Sequence, residues 1–215
     1  AGLYYPPGSL KARLCVSGRE QLYRYCDDRG VPYRRCGKLI VATSDEECGT
    51  LQDYLESACR NGVTDVAWRT AAEIATMEPA VHCTAALWSP STGILDSHRL
   101  MQALLADLET RGGSLVGRAE VVGGRLARGA HRVLVQQGAT AIELEARLLV
   151  NAAGLGAQVV ASQLEGLDAA TIPLRYLAKG HYFTLQGRSP FRHLVYPVAG
   201  SGGLGIHVTL DLAGG

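Results

Sequence analysis

The chain has 215 residues, 47% of them hydrophobic and 19% charged, and a formal net charge of +1 at pH 7. That size can bury a real core in one large or two small domains, and the near-neutral balance gives no electrostatic footprint for nucleic acid or an anionic membrane. No stretch reaches the roughly 20 apolar residues of a membrane helix, so the expected partner is a small molecule or another protein, with a homo-oligomer left open.

Ser9 is placed to cap a helix in which Leu10, Leu14, Leu22, Tyr25 and Cys26 recur at helical spacing before Gly30 ends it. "CGKLIVAT" reads as a strand, and Ser44 with Glu47 as a capping box opening a helix through Leu51, Leu55 and Ala58 to about Gly62. Thr70 and Glu73 repeat that signature for a short helix that must stop before Pro79. "ALWSPSTGILD" is a strand and a turn, and its Asp96 caps a helix with Leu100, Leu104, Leu105 and Leu108 on one side, ended by Gly112-Gly113. From Ser114 to Val150 short strands alternate with glycine turns, a β-meander feeding a strand that ends at Asn151. The last third predicts strands in "RYLAKGHYFTLQG", "HLVYPV" and "GLGIHVTLDL".

The six cysteines, Cys15, Cys26, Cys36, Cys48, Cys59 and Cys83, form no C-x-x-C pair and match no zinc spacing. They read as small buried apolar residues in a reducing, cytoplasmic compartment, with no metal site.

One stretch asks for a ligand. In "ARLLVNAAGLGA", Leu148, Leu149 and Val150 suit a strand buried on both faces, Gly154 and Gly156 remove side chains where it ends, and "AQVVASQL" begins a helix. Ligands of open α/β sheets sit at such strand ends, although a tight strand–helix connection explains the same residues equally well.

"LLVNAAGLGA" resembles the second flavin-contacting segment of the D-amino-acid-oxidase-like FAD oxidoreductases. "AGLYYPPGSLKARLCVSG", "CGKLIVAT", "SPSTGILDSHRL", "AKGHYFTL", "HLVYPV" and "GLGIHVTLDLAG" follow in the order found in the L-2-hydroxyglutarate oxidase/dehydrogenase branch, from Gly2 to Ala213. The family's N-terminal strand–G-x-G-x-x-G–helix, which holds the FAD pyrophosphate, has no counterpart here, nor has its C-terminal glycine-rich segment. The chain therefore reads as an internal fragment, expected to be inactive by itself.

The resemblance implies an α/β (mixed α+β) fold: a partial FAD/NAD(P)-binding Rossmann-like domain over 97–168, interleaved with an antiparallel-sheet substrate domain over 1–96 and 169–215. It implies a flavoprotein with FAD as cofactor, oxidising a small 2-hydroxy acid such as L-2-hydroxyglutarate. An amine or amino-acid oxidase of the same fold, or a truncated chain without catalysis, are the alternatives.

Such a reaction moves hydride from the α-carbon to flavin while a base takes the hydroxyl proton, and a neutral imidazole suits that task near pH 7. His207 is the first choice: strand alternation puts Ile206, Val208 and Leu210 on one face, and His207 and Thr209 on the other. In "AKGHYF", Lys179 and Tyr182 are the further catalytic candidates, Lys179 neutralising a carboxylate or the reduced flavin and Tyr182 hydrogen-bonding the substrate. Alternation sends Lys179 and His181 one way and Tyr182 the other. Arg175, Tyr196 and Thr209 are candidates for holding substrate. Asn151, Ala152, Ala153 and Gly154, with Val121 and Val122, are the candidates for holding FAD. His98 suffices as a neighbour of the Asp96 cap, and Trp68 and Trp88 as packing residues. His82, His131 and His193 show no partner in the sequence.

Overall fold

The run KLIVA, Lys38–Ala42, is buried at every position and lies at the centre of the first sheet. The computed structural model describes residues 2–199 and 205–213. In chain order the main elements are α1 (Leu10–Arg29), β1 (Tyr33–Arg34), β2 (Lys38–Ala42), α2 (Asp45–Arg60), β3 (Ala67–Thr70), α3 (Ala71–Met77), β4 (Ala85–Ser89), β5 (Ile94–Leu95) and α4 (Ser97–Thr110). There follow β6 (Glu120–Arg125), β7 (His131–Gln137), β8 (Thr140–Ala146), α5 (Ala157–Ser162), β9 (Leu164–Glu165) and β10 (Leu194–Pro197). This is a mixed α/β fold, and it divides into two compact units, Ala1–Thr110 with Phe183–Gly215, and Arg111–Tyr182. These junctions differ from the boundaries after residues 96 and 168 read from the sequence, because α4 groups with the first unit and residues 169–182 with the second.

In the first unit the strand order is β10-β2-β4-β3, antiparallel except that β10 runs parallel to β2, from Leu194 beside Lys38 to Pro197 beside Val41. Val208 adds a single antiparallel bridge to Val195 outside β10. Alternation along β2 splits the core. Ile40 and Ala42 pack with Leu3, Leu51, Ala58, Val63 and Leu87 on one face, and Leu39 and Val41 pack with Ile74, Val81, Ala86 and Val195 on the other. Each fully buried Leu or Ile contributes about 1.5–3 kcal/mol, which fixes α2 and α3 to opposite faces.

The caps follow the sequence closely. Ser9 Oγ accepts from Ala12 N at 3.2 Å, and Gly30 closes α1 at φ +63°. Thr70 and Glu73 form a complete capping box, and Asp96 Oδ1 accepts from His98 N and Arg99 N, both at 3.0 Å. At α2 the box is half made: Ser44 Oγ accepts from Glu47 N, but Glu47 Oε2 reaches back to Thr43 N at 2.6 Å.

Helix faces differ from the expected ones. α1 buries Ala12, Tyr23 and Cys26, while Leu10 and Leu14 are exposed, because the 12–16–23–26 stripe rather than the leucine stripe meets the core. α4 buries no residue and is held to α1 through Asp107, which pairs with Arg29 at 2.8 Å and accepts from the Tyr25 hydroxyl at 2.9 Å. The cysteines are all free; Cys26 and Cys36 are buried, and Cys59 is exposed.

The second unit is the expected meander, order β8-β7-β6-β9, with β9 parallel to β6. Gly123-Gly124 is not a turn, as the sequence suggested, but lies within β6. A Cβ on Gly124 would meet Arg132 O at 2.4 Å, so the close approach of β7 requires glycine there. Two expected strands are absent. Leu148–Val150 is irregular, with Leu148 77% and Val150 73% exposed, and residues 175–187 are irregular and exposed throughout. The physical reason is shared: among the described residues no strand hydrogen-bonds to either segment, and extended backbone without a neighbour leaves its N–H and C=O groups to water.

Candidate functional site

The residues proposed for chemistry fall into both units, and each group is described within its own. In the first unit, Glu78 ends α3 fully buried, and its Oε1 accepts from Arg192 N and His193 N at 2.7 Å and lies 2.6 Å from His193 Nδ1. Glu78 Oε2 is buried without a hydrogen-bond partner among the described residues. This carboxylate pins the chain just where it enters β10, and the Trp88 ring meets the His193 ring edge-on at 4.8 Å. The anchored β10 then presents Tyr196.

Tyr196 lies flat against His207: the ring centroids are 3.9 Å apart and the planes differ by 2°. Val208, next to His207, exchanges backbone hydrogen bonds with Val195 at 3.2 and 2.9 Å, which sets the register that brings the two rings together. His207 is half-buried, Thr209 exposed, Leu210 buried and Ile206 exposed. The expected apolar face is thus realised at Val208 and Leu210 but not at Ile206. Gly203 and Leu204 of the same expected strand lie outside the described residues.

The sequence reading missed Lys38. It is only 6% exposed at the head of β2. Its Nζ donates to the Tyr4 hydroxyl at 3.1 Å and lies 4.8 Å from the centre of the Tyr4 ring and 5.1 Å from that of Tyr196. Among the described residues no carboxylate pairs with it, and burial pushes its pKa down to about 8. Tyr4, in edge contact with Tyr54 at 5.0 Å, has its own pKa raised, first by burial and then by the neighbouring tyrosines. Cation–π contacts contribute about 2 kcal/mol when desolvated, less than the several kcal/mol that removing an ammonium from water costs. The tyrosines alone do not offset that cost. A lysine entering an otherwise apolar strand was the signal available in "CGKLIVA".

A separate cleft of about 470 Å³ in this unit is lined by Arg34, Arg188, Phe191 and Arg192, and none of the candidates named from the sequence lines it.

In the second unit, Asn151 organises the turn it was expected to fix: its Nδ2 donates to Ala157 O at 2.7 Å and its Oδ1 accepts from Ala153 N at 3.3 Å. Ala152, Ala153 and Gly154 are exposed, and Gly154 has φ +54°, a conformation other residues adopt only with strain. Val121 and Val122 are half-buried in β6, where the register shifts between Val121 and Gly123, leaving Val122 as the bulged residue. Open main chain carrying small side chains fits backbone contact with a dinucleotide such as FAD.

Lys179, His181 and Tyr182 are exposed and outside any strand, so the expected alternation between them does not operate. Arg175 is exposed, its guanidinium donating to Leu155 O at 3.5 Å. The structure brings His207 and Tyr196 together. Arg175, Lys179 and Tyr182 belong to the other unit, Arg111–Tyr182.

The whole chain, residues 1–215, matches the DAO family, described as FAD dependent oxidoreductase. It is 39% identical over 243 residues to a mitochondrial L-2-hydroxyglutarate dehydrogenase of Arabidopsis thaliana, covering 100% of this chain and 50% of that protein. It is 33% identical over 218 residues to L-2-hydroxyglutarate dehydrogenase of Escherichia coli (strain K12), again covering 100% of this chain and 50% of the other. The chain thus spans about half the length of the curated relatives it matches. In fold it resembles the dithionite-reduced L-alpha-glycerophosphate oxidase of Mycoplasma pneumoniae with FAD bound, with a TM-score of 0.79 at 20% identity, over 99% of this chain and 56% of that one.

Proposed function

Because the chain belongs to the DAO family of FAD dependent oxidoreductases, we propose that the protein carrying it oxidises a small 2-hydroxy acid, L-2-hydroxyglutarate in the first place. The observation that carries this reading is the His207 imidazole held flat on Tyr196 at the edge of the main sheet. It is a proton acceptor of the right kind for a hydroxyl group, already fixed in orientation. Bound FAD supplies the hydride acceptor.

His207 takes the hydroxyl proton, Tyr196 orients the imidazole and touches the substrate, and Thr209 offers a hydroxyl from the same strand. Asn151, Ala152, Ala153 and Gly154 hold FAD through backbone, with Val121 and Val122 beside the bulge of β6. Arg175, Lys179 and Tyr182 keep their proposed roles toward substrate carboxylates and flavin. On this reading 97–168 serves the cofactor and the rest of the chain the substrate. Among the described residues no helix is long and apolar enough to cross a membrane. The six free cysteines support a reducing, cytoplasmic setting, although the Arabidopsis thaliana relative is named as mitochondrial. Assembly as a homo-oligomer belongs to the same proposal.

The test is a panel of substrates added anaerobically to the FAD-loaded protein while flavin absorbance is followed. Bleaching by L-2-hydroxyglutarate but not by its D-enantiomer, glycine or L-proline supports the reading. Bleaching by an amino acid alone replaces it with an amino-acid oxidase.

A further inference from the structure

We propose that Lys38, with Tyr4 and Tyr196 around it, is a carboxylate-binding site that takes one end of the organic acid whose hydroxyl faces His207. The inference rests on the 2-hydroxy acid reading above and adds to it a residue and a ligand class.

Three observations converge. First, among the described residues the hydrogen-bond acceptor of Lys38 Nζ is the Tyr4 hydroxyl at 3.1 Å, and an ammonium has three N–H groups to place. Second, no carboxylate among the described residues pairs with it, although it is 6% exposed, and a buried cation without an anion is retained when a ligand brings the anion. Third, it shares a ring with the proposed base. Tyr196 lies 5.1 Å from Lys38 Nζ and stacks on His207 at 3.9 Å, with its ring between the two, so an acid that meets both the ammonium and the imidazole reaches across the edge of that ring with its two ends.

The position of Tyr4 explains how an anion reaches a lysine this buried. Tyr4 is 41% exposed, so its ring is the cover between Lys38 and solvent, and it is tied down by the edge contact with Tyr54 and by the lysine itself. A carboxylate arriving beside the phenol accepts the remaining N–H groups of Lys38 and the Tyr4 O–H. That geometry favours an acid with a second carboxylate remote from the hydroxyl-bearing carbon over a monocarboxylate, which meets only one end of the site.

The depressed pKa of Lys38 agrees with this arrangement, because an anion at Nζ stabilises the charged form and draws the value back up. The groups facing Lys38 are Tyr4 and Tyr196, with Tyr54 and Tyr5 around Tyr4 and His207 behind Tyr196.

The experiment uses the FAD-loaded protein with side-chain-labelled lysine and the unreactive dicarboxylate glutarate as probe. The Lys38 resonance is identified by its loss in Lys38→Met. The expected result is a saturable shift of that resonance with glutarate, a titration midpoint raised by the ligand, and at least tenfold weaker glutarate binding in Lys38→Met with Lys38→Arg partly restored. A resonance that glutarate does not move, or a Lys38→Met protein that binds glutarate as the parent does, overturns the proposal. If Lys38→Met does not fold, the resonance is assigned by elimination from Lys11→Arg and Lys179→Arg, the other two lysines of the sequence, and the midpoint of the parent protein decides, since a lysine serving only to join two tyrosines has no reason to respond. The two readings fail separately. Flavin bleached by L-2-hydroxyglutarate with an unresponsive Lys38 removes the carboxylate site and leaves the reaction. A responsive Lys38 with unbleached flavin does the reverse.

Discussion

The imidazole of His207 and the phenol ring of Tyr196 are parallel to within 2° and 3.9 Å apart. The two residues are eleven positions apart in the chain, and the contact depends on the single bridge between Val195 and Val208. The stack sets the plane in which His207 presents its nitrogens. Replacing Tyr196 by Phe keeps the ring, whereas Tyr196→Leu removes an aromatic contact of about 0.5–1.5 kcal/mol and frees the imidazole to rotate. Stopped-flow flavin reduction by L-2-hydroxyglutarate is expected to slow about tenfold in Tyr196→Leu and much less in Tyr196→Phe.

Lys38 gives a stability signature in alkali. Burial lowers its pKa from 10.5 to about 8, so between those values the folded chain sheds a proton that the unfolded chain keeps. The unfolded state then binds more protons, and this group makes stability rise with pH across that window. Tyr4 acts oppositely, because its raised pKa takes stability away as pH climbs past 10. Urea unfolding from pH 7 to 10 is expected to show the rise in the parent and a flat profile in Lys38→Met, which gains ~2 kcal/mol at pH 7.

Glu78 holds β10 in place from 115 residues away in sequence. Removing its buried carboxylate takes the acceptor from the amides of Arg192 and His193 and from the half-buried His193 ring. Glu78→Ala is expected to cost about 3 kcal/mol in chemical denaturation. Glu78→Gln, which keeps an acceptor at Oε1, is expected to cost less.

Gly37 precedes Lys38 with φ +72°, and a Cβ there would lie 1.8 Å from the Trp88 ring. Strain and overlap act together in Gly37→Ala, for a loss of roughly 2–4 kcal/mol. Thermal unfolding should show it plainly. Gly62→Ala, at φ +80° but with nothing within 4 Å of its Cβ, isolates the strain alone.

Local signals carried much of the fold. Ser9, Thr70 with Glu73, and Asp96 each announce a helix through a side chain within three residues of the amide it caps, and KLIVA announces a buried strand by composition. The strands that failed, Leu148–Val150 and residues 175–187, and the last expected strand, whose described residues keep only the bridge at Val208, depend on a neighbour that the sequence of the strand itself does not describe. At the site, Tyr196 and His207 were both named, but not their stack. The Glu78–His193 contact and the inward turn of Lys38 escaped because both are long-range: a lysine before an apolar run is ordinarily a surface residue, and only the sheet around β2 turns it inward.

We propose that His207 takes the hydroxyl proton of a 2-hydroxy acid. It is tested most directly by single-turnover reduction of bound FAD by L-2-hydroxyglutarate in the parent and in His207→Asn, with FAD affinity measured on both. The account predicts a reduction rate lower by about 10²–10⁴ with FAD binding unchanged. A His207→Asn protein that reduces its flavin at the parental rate would contradict it.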